Sequence, residues 1–362
     1  MHMPFCTPLR YVQGDGVTAR LADEMAVLGL AGPVLVVGGG SAVGMLAPVW
    51  AAAMAAAGWH HRVRVFGGEC TAAEIDALVA EARSLGARVI VGAGGGKCLD
   101  AARAAAAAVC LPFVSCPTVA STDAPTSGLS VVYSAAGVVE SYRILGRNPD
   151  LVLVDSGVIA RAPVRYLVAG MGDSLSTYYE ARAAAAAGRP NMRGGAATGA
   201  ALALARLCRD TVLADGEAAL SDVRDQQVTP AVERIIEANT LLSGLGFESG
   251  GLAAAHAVHN GLTVLPGTAT LLHGEKVAFG TLVQLVLEGG PPEEFVEAAR
   301  FCRAVGLPAT LAQLGLPHAT DADIDAIALR STQPGETIHN MPMPITAFGV
   351  AAAIREADRR SS

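Results

Sequence analysis

Apolar runs and helical spacing alternate through the first half of the chain. Val34 to Val37, introduced by Pro33, reads as a buried strand that stops at Gly38-Gly39-Gly40-Ser41. An Ala-rich helical stretch follows over about 45–57, then an alternating strand from His61 to Phe66. Residues 72–85 place Ile75, Leu78, Val79 and Ala82 on one helical face. Arg88 to Gly92 is a second buried strand, followed by Gly94-Gly95-Gly96 and a helix from Leu99 to about Ala107. Phe113 to Pro117 and Leu151 to Asp155 are further strands, and Leu129 to Tyr133 pairs with Val138 to Arg143 across an Ala-Ala-Gly turn. Continuous Val/Ile runs alternating with helices predict a parallel sheet covered on both faces. Beyond Pro163 only helical spacing returns, punctuated at Gly188, Gly216, Gly289 and Pro308. The expected architecture is an α/β nucleotide-binding domain over 1–162 and an all-α metal-binding domain over 163–362. Residues 332–346 read as a Pro-rich loop, and Asp358 to Ser362 as a frayed end.

With 362 residues there is room for two domains of ordinary size. Aromatics are scarce, so the core must be built from Ala, Val and Leu. The formal charge is −7 with no basic cluster, which argues against nucleic acid and anionic membrane as partners. Seven cysteines, an odd number with no Cys-x-x-Cys pair, suit a reduced, cytoplasmic setting. The N-terminus lacks a signal layout, and the apolar stretch 101–120 is broken by Arg103, Pro112 and Pro117.

Two kinds of chemistry stand out. Gly94, Gly95, Gly96 and Lys97 follow a strand and open a helix. There the backbone can approach a pyrophosphate, and the helix start directs free N–H groups at it; a bare βα turn has the same look. At the earlier turn, Gly39 stands where an acidic residue would clamp a ribose 2′-hydroxyl. Gly39 and Ser41 leave room there for a 2′-phosphate. The loop 117–127 is dense in hydroxyls, with Thr118, Ser121 and Ser127 around one carboxylate, Asp123. It suits a sugar, an amide or a polyol, or else Asp123 caps the loop. Asp173, in Gly-Met-Gly-Asp-Ser, and His256 and His273, in Ala-His-Ala-Val-His-Asn and Leu-His-Gly-Glu-Lys, are a donor set for a divalent metal with one coordination position left open. The alternative is a pair of satisfied core histidines. His259, three residues from His256, shares its helix face.

These motifs resemble those of glycerol dehydrogenases in the iron-containing, group III alcohol dehydrogenase superfamily. The resemblance rests on Gly94-Gly-Gly-Lys-x-x-Asp100, Pro117 to Pro125, Arg147 to Asp155, Ala169 to Asp173, Gly246 to Leu252, His256 to Thr263 and His273 to Gly280, in family order. It implies the dehydroquinate synthase-like fold with the active site in the interdomain cleft. It also implies Asp173, His256 and His273 as zinc ligands and Asp123 as acceptor of a substrate hydroxyl. Gly95, Gly96, Lys97, Thr118, Ser127, Leu129 and Tyr133 would touch a dinucleotide; Gly39, Ser41, Gly94, Asp100 and Ser121 complete the expected cofactor set. Thr177 stands where iron-binding relatives often carry histidine, which favours zinc. The implied activity is hydride transfer between NAD(H) or NADP(H) and a small polyol or hydroxy-ketone, in a homo-oligomer. Gly39 departs from the Asp usual in NAD-preferring members, so an NADPH-dependent aldehyde or ketone reductase is the rival reading. A dehydroquinate synthase-like cyclase is a more distant one, because Asp173 replaces the Glu of the cyclases and basic residues are few.

Overall fold

The computed structural model describes residues 2–135, 137 and 139–362. Among the described residues there are eight strands and fourteen α-helices. The strands are β1 (Arg10–Gly14), β2 (Val34–Gly38), β3 (His61–Val65), β4 (Val89–Gly94), β5 (Phe113–Pro117), β6 (Leu129–Tyr133), β7 (Val139–Ile144) and β8 (Leu151–Asp155). The first helices are α1 (Leu21–Val27), α2 (Gly40–Ala56), α3 (Ala72–Leu85) and α4 (Gly96–Ala108). After β8 come α5 (Ser156–Ala160), α6 (Val164–Ala186), α7 (Gly199–Arg224), α8 (Pro230–Glu237), α9 (Ser243–Gly250), α10 (Ala254–Leu262) and α11 (His273–Glu288). The chain closes with α12 (Pro292–Val305), α13 (Asp321–Ser331) and α14 (Ala347–Ser361). Among the described residues no helix is long and apolar enough to cross a membrane, and all seven cysteines are free.

Six strands form one sheet in the order β1-β8-β5-β4-β2-β3, every pair parallel. The apolar runs are continuous because both faces are covered. Val34 and Val36 pack under α1 and α2, whereas Leu35 and Val37 pack under α3 and α4. On β8, Leu151 and Leu153 join the first of these layers, while Val152 and Val154 join the core of the helical half. The sheet thereby shares a core with the helices that follow.

Four expectations need correction. Gly216 does not break the chain but lies buried inside α7, where a Cβ would come within 2.6 Å of the Phe301 ring. β1 has no apolar run and escaped the pattern; it is a half-buried edge strand held by β8. α2 and α4 begin at Gly40 and Gly96, several residues before the first apolar position, because glycines at a helix start carry no periodic signal. The chain end does not fray. α14 continues to Ser361, which is buried, and Asp358 accepts the Leu311 N–H at 2.7 Å. The antiparallel β6–β7 ribbon forms as expected; Val138, read as its first residue, and Ala136, in its turn, lie outside the described residues.

Candidate metal centre and cofactor crevice

Three helices deliver the three candidate ligands. Asp173 lies in the middle of α6, His256 in the first turn of α10, and His273 is the first residue of α11. The contact of α6 with α11 is close because glycines line it. A Cβ added to Gly274 would lie 1.8 Å from the Ala169 carbonyl oxygen, and one on Gly172 would lie 2.4 Å from the Gly274 oxygen. Only backbone without side chains can approach so near, and that nearness puts Asp173 against His273.

The donor atoms fit a small cation. Asp173 Oδ1 stands 3.5 Å from His256 Nε2 and 3.3 Å from His273 Nε2, and the three ligand atoms lie within 4.8 Å of one another. Zinc bonds of about 2.0–2.1 Å at tetrahedral angles separate neighbouring donors by about 3.3–3.4 Å. Asp173 is 1% exposed, and its Oδ1 has no hydrogen-bond partner among the described residues. A buried carboxylate oxygen that faces only two imidazole nitrogens is costly unless those rings are charged, and a cation held with the two imidazoles would satisfy it. The residues present fit a three-ligand metal site.

The surrounding charge points the same way. Burial raises the Asp173 carboxyl, but His273 and His256 outweigh it and hold the group far below the usual carboxylate range. Burial opposes charge on His256, while Glu180 and Asp173 overcome it and raise its pKa well above normal. Asp123 is pushed well up by burial and by Asp173. Its backbone N–H donates to Asp173 Oδ2 at 3.2 Å, which fixes the hydroxyl-rich loop against the trio.

Glu180 is the functional residue that sequence reasoning missed. It is fully buried on α6, seven residues beyond Asp173 and on the same helix face. Its Oε2 meets His256 Nδ1 at 2.5 Å, and its Oε1 accepts the N–H groups of Ala253 and His256. Gln284 accepts those of Ala254 and Ala255. The start of α10 is thus capped from α6 and α11 rather than by a local residue. The available signal was a second acidic residue in α6, at i+7 from Asp173 and so on its helix face. His259 does not join the trio; its Nε2 meets His273 Nδ1 at 3.0 Å. Asn239, in a π-helical turn, ties the loop to α6 by donating to the Ala120 and Leu167 carbonyls and accepting from Ser174.

The two glycine turns lie side by side at the strand C-termini. β2 and β4 are neighbours, yet α2 leaves β2 toward one face and α4 leaves β4 toward the other. Diverging helices open a crevice at this switch point, the usual ligand position of open α/β sheets. The Gly39 N–H donates to the Ala93 carbonyl at 2.9 Å, and Thr118 N–H donates to the Gly94 carbonyl at 3.1 Å. Gly39 and Ser41 at the start of α2, Gly94 to Gly96 at the start of α4 and Thr118 after β5 thus stand at the C-terminal ends of neighbouring strands. Ser121 is half-buried in the loop beyond Thr118. Lys97, beside Gly96, is not free. Its Nζ pairs with Glu69 at 2.6 Å and sits 4.7 Å from the ring centre of Tyr133 on β6, the strand that begins at Leu129.

Asp100 and Ser127 face inward instead. Asp100 pairs with buried Arg103 at 3.0 Å and accepts the Val131 N–H, and burial, opposed by Arg103, pushes its carboxyl up to about 6. Arg103 in turn donates to the carbonyls of Leu129 and Ala124. Ser127 is 1% exposed and donates to the Ala124 carbonyl.

Residues 8–156 match the family described as iron-containing alcohol dehydrogenase. Over 353 residues the chain is 48% identical to a glycerol dehydrogenase of Pseudomonas putida, covering 98% of this chain and 96% of that protein. The chain belongs to the iron-containing alcohol dehydrogenase family. It is an enzyme of the alcohol dehydrogenase class. A second relative within reach is a glycolaldehyde reductase of Halobacterium salinarum, 44% identical and covering 98% of this chain and 96% of that protein. The fold of this alcohol dehydrogenase matches the crystal structure of a probable glycerol dehydrogenase from Sinorhizobium meliloti 1021 with a TM-score of 0.93 and 42% identity, over 99% of both chains.

Proposed function

We propose that the protein is a zinc-dependent oxidoreductase that transfers hydride between NAD(H) or NADP(H) and a small polyol or hydroxy-ketone, as a glycerol dehydrogenase does. The observation that carries this reading is the orphaned Asp173 Oδ1 set between two imidazole nitrogens at tetrahedral spacing. Asp173, His256 and His273 would hold the metal, and Thr177, standing where a third histidine could ligate, suits zinc with one open position. Once bound, the metal would supply Lewis acidity, lowering the pKa of an alcohol or polarising a carbonyl. The chain's own groups do the rest. Asp123 would grip a second substrate hydroxyl next to the reacting one, Glu180 holds the ring of His256, and the glycine crevice would carry the pyrophosphate. The nucleotide-binding part would span 1–162 and the metal-binding part 163–362, since strands end at Asp155 and α6 opens at Val164.

A second reading, an NADPH-dependent carbonyl reductase, is favoured by Gly39. It is the residue before α2, with no carboxylate and nothing within 4 Å of where its Cβ would lie, so a 2′-phosphate would meet no charge there. The test is a rate matrix with zinc present, NAD and NADP against glycerol, propanediols, dihydroxyacetone and simple aldehydes. Vicinal diols and hydroxy-ketones should be turned over fastest. Preference for simple aldehydes with NADPH would transfer support to the second reading. Full activity in a metal-free His273→Ala protein would sink both.

A further inference from the structure

Beyond the metal ligands a line of four side chains leads from His273 to solvent, and its polarity is determined. It starts from Arg330 on α13, one-third exposed, which donates to Glu336 Oε1. Glu336, in the loop 332–346, is nearly buried, and its Oε2 accepts from Asn260 Nδ2 at 2.9 Å. Asn260 Oδ1 lies 3.1 Å from His259 Nδ1, and His259 Nε2 lies 3.0 Å from His273 Nδ1. The loop is sewn to the start of α10 by Thr337, which donates to the Ala253 carbonyl, and Asn340, which donates to that of Leu252.

A carboxylate only accepts hydrogen bonds. Glu336 therefore requires the amide nitrogen of Asn260 on its side and leaves the amide oxygen facing His259. That oxygen requires a proton on His259 Nδ1. The neutral ring then has a lone pair on Nε2, which requires a proton on His273 Nδ1. A neutral His273 protonated there presents a bare Nε2 to Asp173, the tautomer that can ligate a metal.

We propose that Glu336 is a positioning residue that sets the metal-binding tautomer of His273 through Asn260 and His259, as Glu180 does for His256 by direct contact. The proposal rests on the metal reading above. It makes a counter-intuitive demand of the near-isosteric Glu336→Gln. Arg330 would hold the new side-chain oxygen and turn its NH2 toward Asn260. The amide of Asn260 and both imidazoles would then reverse, placing a proton on His273 Nε2.

The test measures zinc affinity of metal-stripped protein by competition with a chromophoric chelator, for wild type, Glu336→Gln, Glu336→Ala, Asn260→Leu and the Glu336→Gln/Asn260→Leu double variant. Losing such an outer partner commonly weakens metal binding by 10–100-fold, so Glu336→Gln should bind zinc about tenfold or more weakly. It should bind no better than Glu336→Ala, with the apo-protein melting as wild type does. The double variant should match Asn260→Leu alone, because a line cut once gains nothing from a second cut. Imidazole ¹⁵N spectra of apo Glu336→Gln should show His273 protonated at Nε2. Unchanged zinc affinity in Glu336→Gln, or losses that multiply in the double variant, would overturn the proposal. If Asn260→Leu does not fold, Glu336→Gln against Glu336→Ala decides. Wild-type protein that takes up no zinc would overturn the metal site itself and this proposal with it, whereas normal uptake in every variant would remove this proposal alone.

Discussion

At the scale of single residues, chemistry depends on atoms whose neighbours are distant in sequence. Asp123 and Asp173 are fifty positions apart, yet one backbone N–H joins them. Asp123→Asn keeps the size and removes a carboxylate charge that burial and Asp173 oppose and that a cation held in the trio would favour. A charge-assisted hydrogen bond is worth about 1.5–3 kcal/mol, so kcat/KM on vicinal diols should fall by about 10–150-fold and fall much less on simple alcohols. Equal losses on both would reduce Asp123 to a structural cap. Gly39 offers a second residue-scale test. Its φ of −59° is open to any side chain, and an added Cβ meets nothing. Gly39→Asp should therefore fold normally and oppose a 2′-phosphate, shifting the NAD/NADP ratio of kcat/KM toward NAD by at least about tenfold, which corresponds to about 1.4 kcal/mol. A ratio that does not move would place the adenosine ribose elsewhere. The glycines and the trio were legible in the sequence because their residue types are unusual in their settings. Glu180 and Glu336 were not, since an acidic residue in a helix or loop carries no mark of what it will face.

Elements impose their own limits. The α6–α11 contact permits no side chain at Gly274, whose Cβ would strike the Ala169 carbonyl and approach the Asp173 N–H to 3.0 Å. Gly274→Ala should push the two helices apart. Overpacking typically costs about 1–3 kcal/mol, and here the displacement falls between two metal ligands. We expect lower zinc content as well as a lower denaturation midpoint; a variant with full zinc content would show that the helices can separate without moving Asp173 from His273. On α4, Asp100 and Arg103 form a buried pair that braces β6 and the hydroxyl-rich loop. Asp100→Ala leaves the guanidinium buried with only carbonyl partners. Removing one member of such a pair costs about 3–5 kcal/mol, readable as a loss of unfolding free energy in urea. A change below about 1 kcal/mol would mean that the carbonyls of Leu129 and Ala124 suffice.

For the whole molecule, the two halves are joined by buried polar ties as well as shared core. Glu248 on α9 accepts from the Gly128 N–H and Asn148 Nδ2, Thr240 meets Tyr11, and Glu233 receives Gln13 and Ser156. A metal held across α6, α10 and α11 should stabilise the folded chain by mass action. Zinc at a thousandfold excess over its Kd adds about 4 kcal/mol when the unfolded chain binds none. Stripped protein should thus melt at a lower temperature than zinc-loaded protein, and His256→Ala should abolish most of that difference. The sequence by itself determined the alternating α/β half, the helical half and the glycine turns, and it singled out Asp173, His256 and His273, which the fold brings together. Strand and helix periods are local, and the trio's residue types are rare enough to be noticed. Tertiary structure alone decided the edge position of β1, the packed end of α14, the inward turn of Asp100 and the pairing of Lys97 with Glu69. It alone placed Glu180 and Glu336 behind the two imidazoles. Each of these depends on which atoms become neighbours after long-range packing, and a linear pattern holds no record of hydrogen-bond partners separated by dozens of residues.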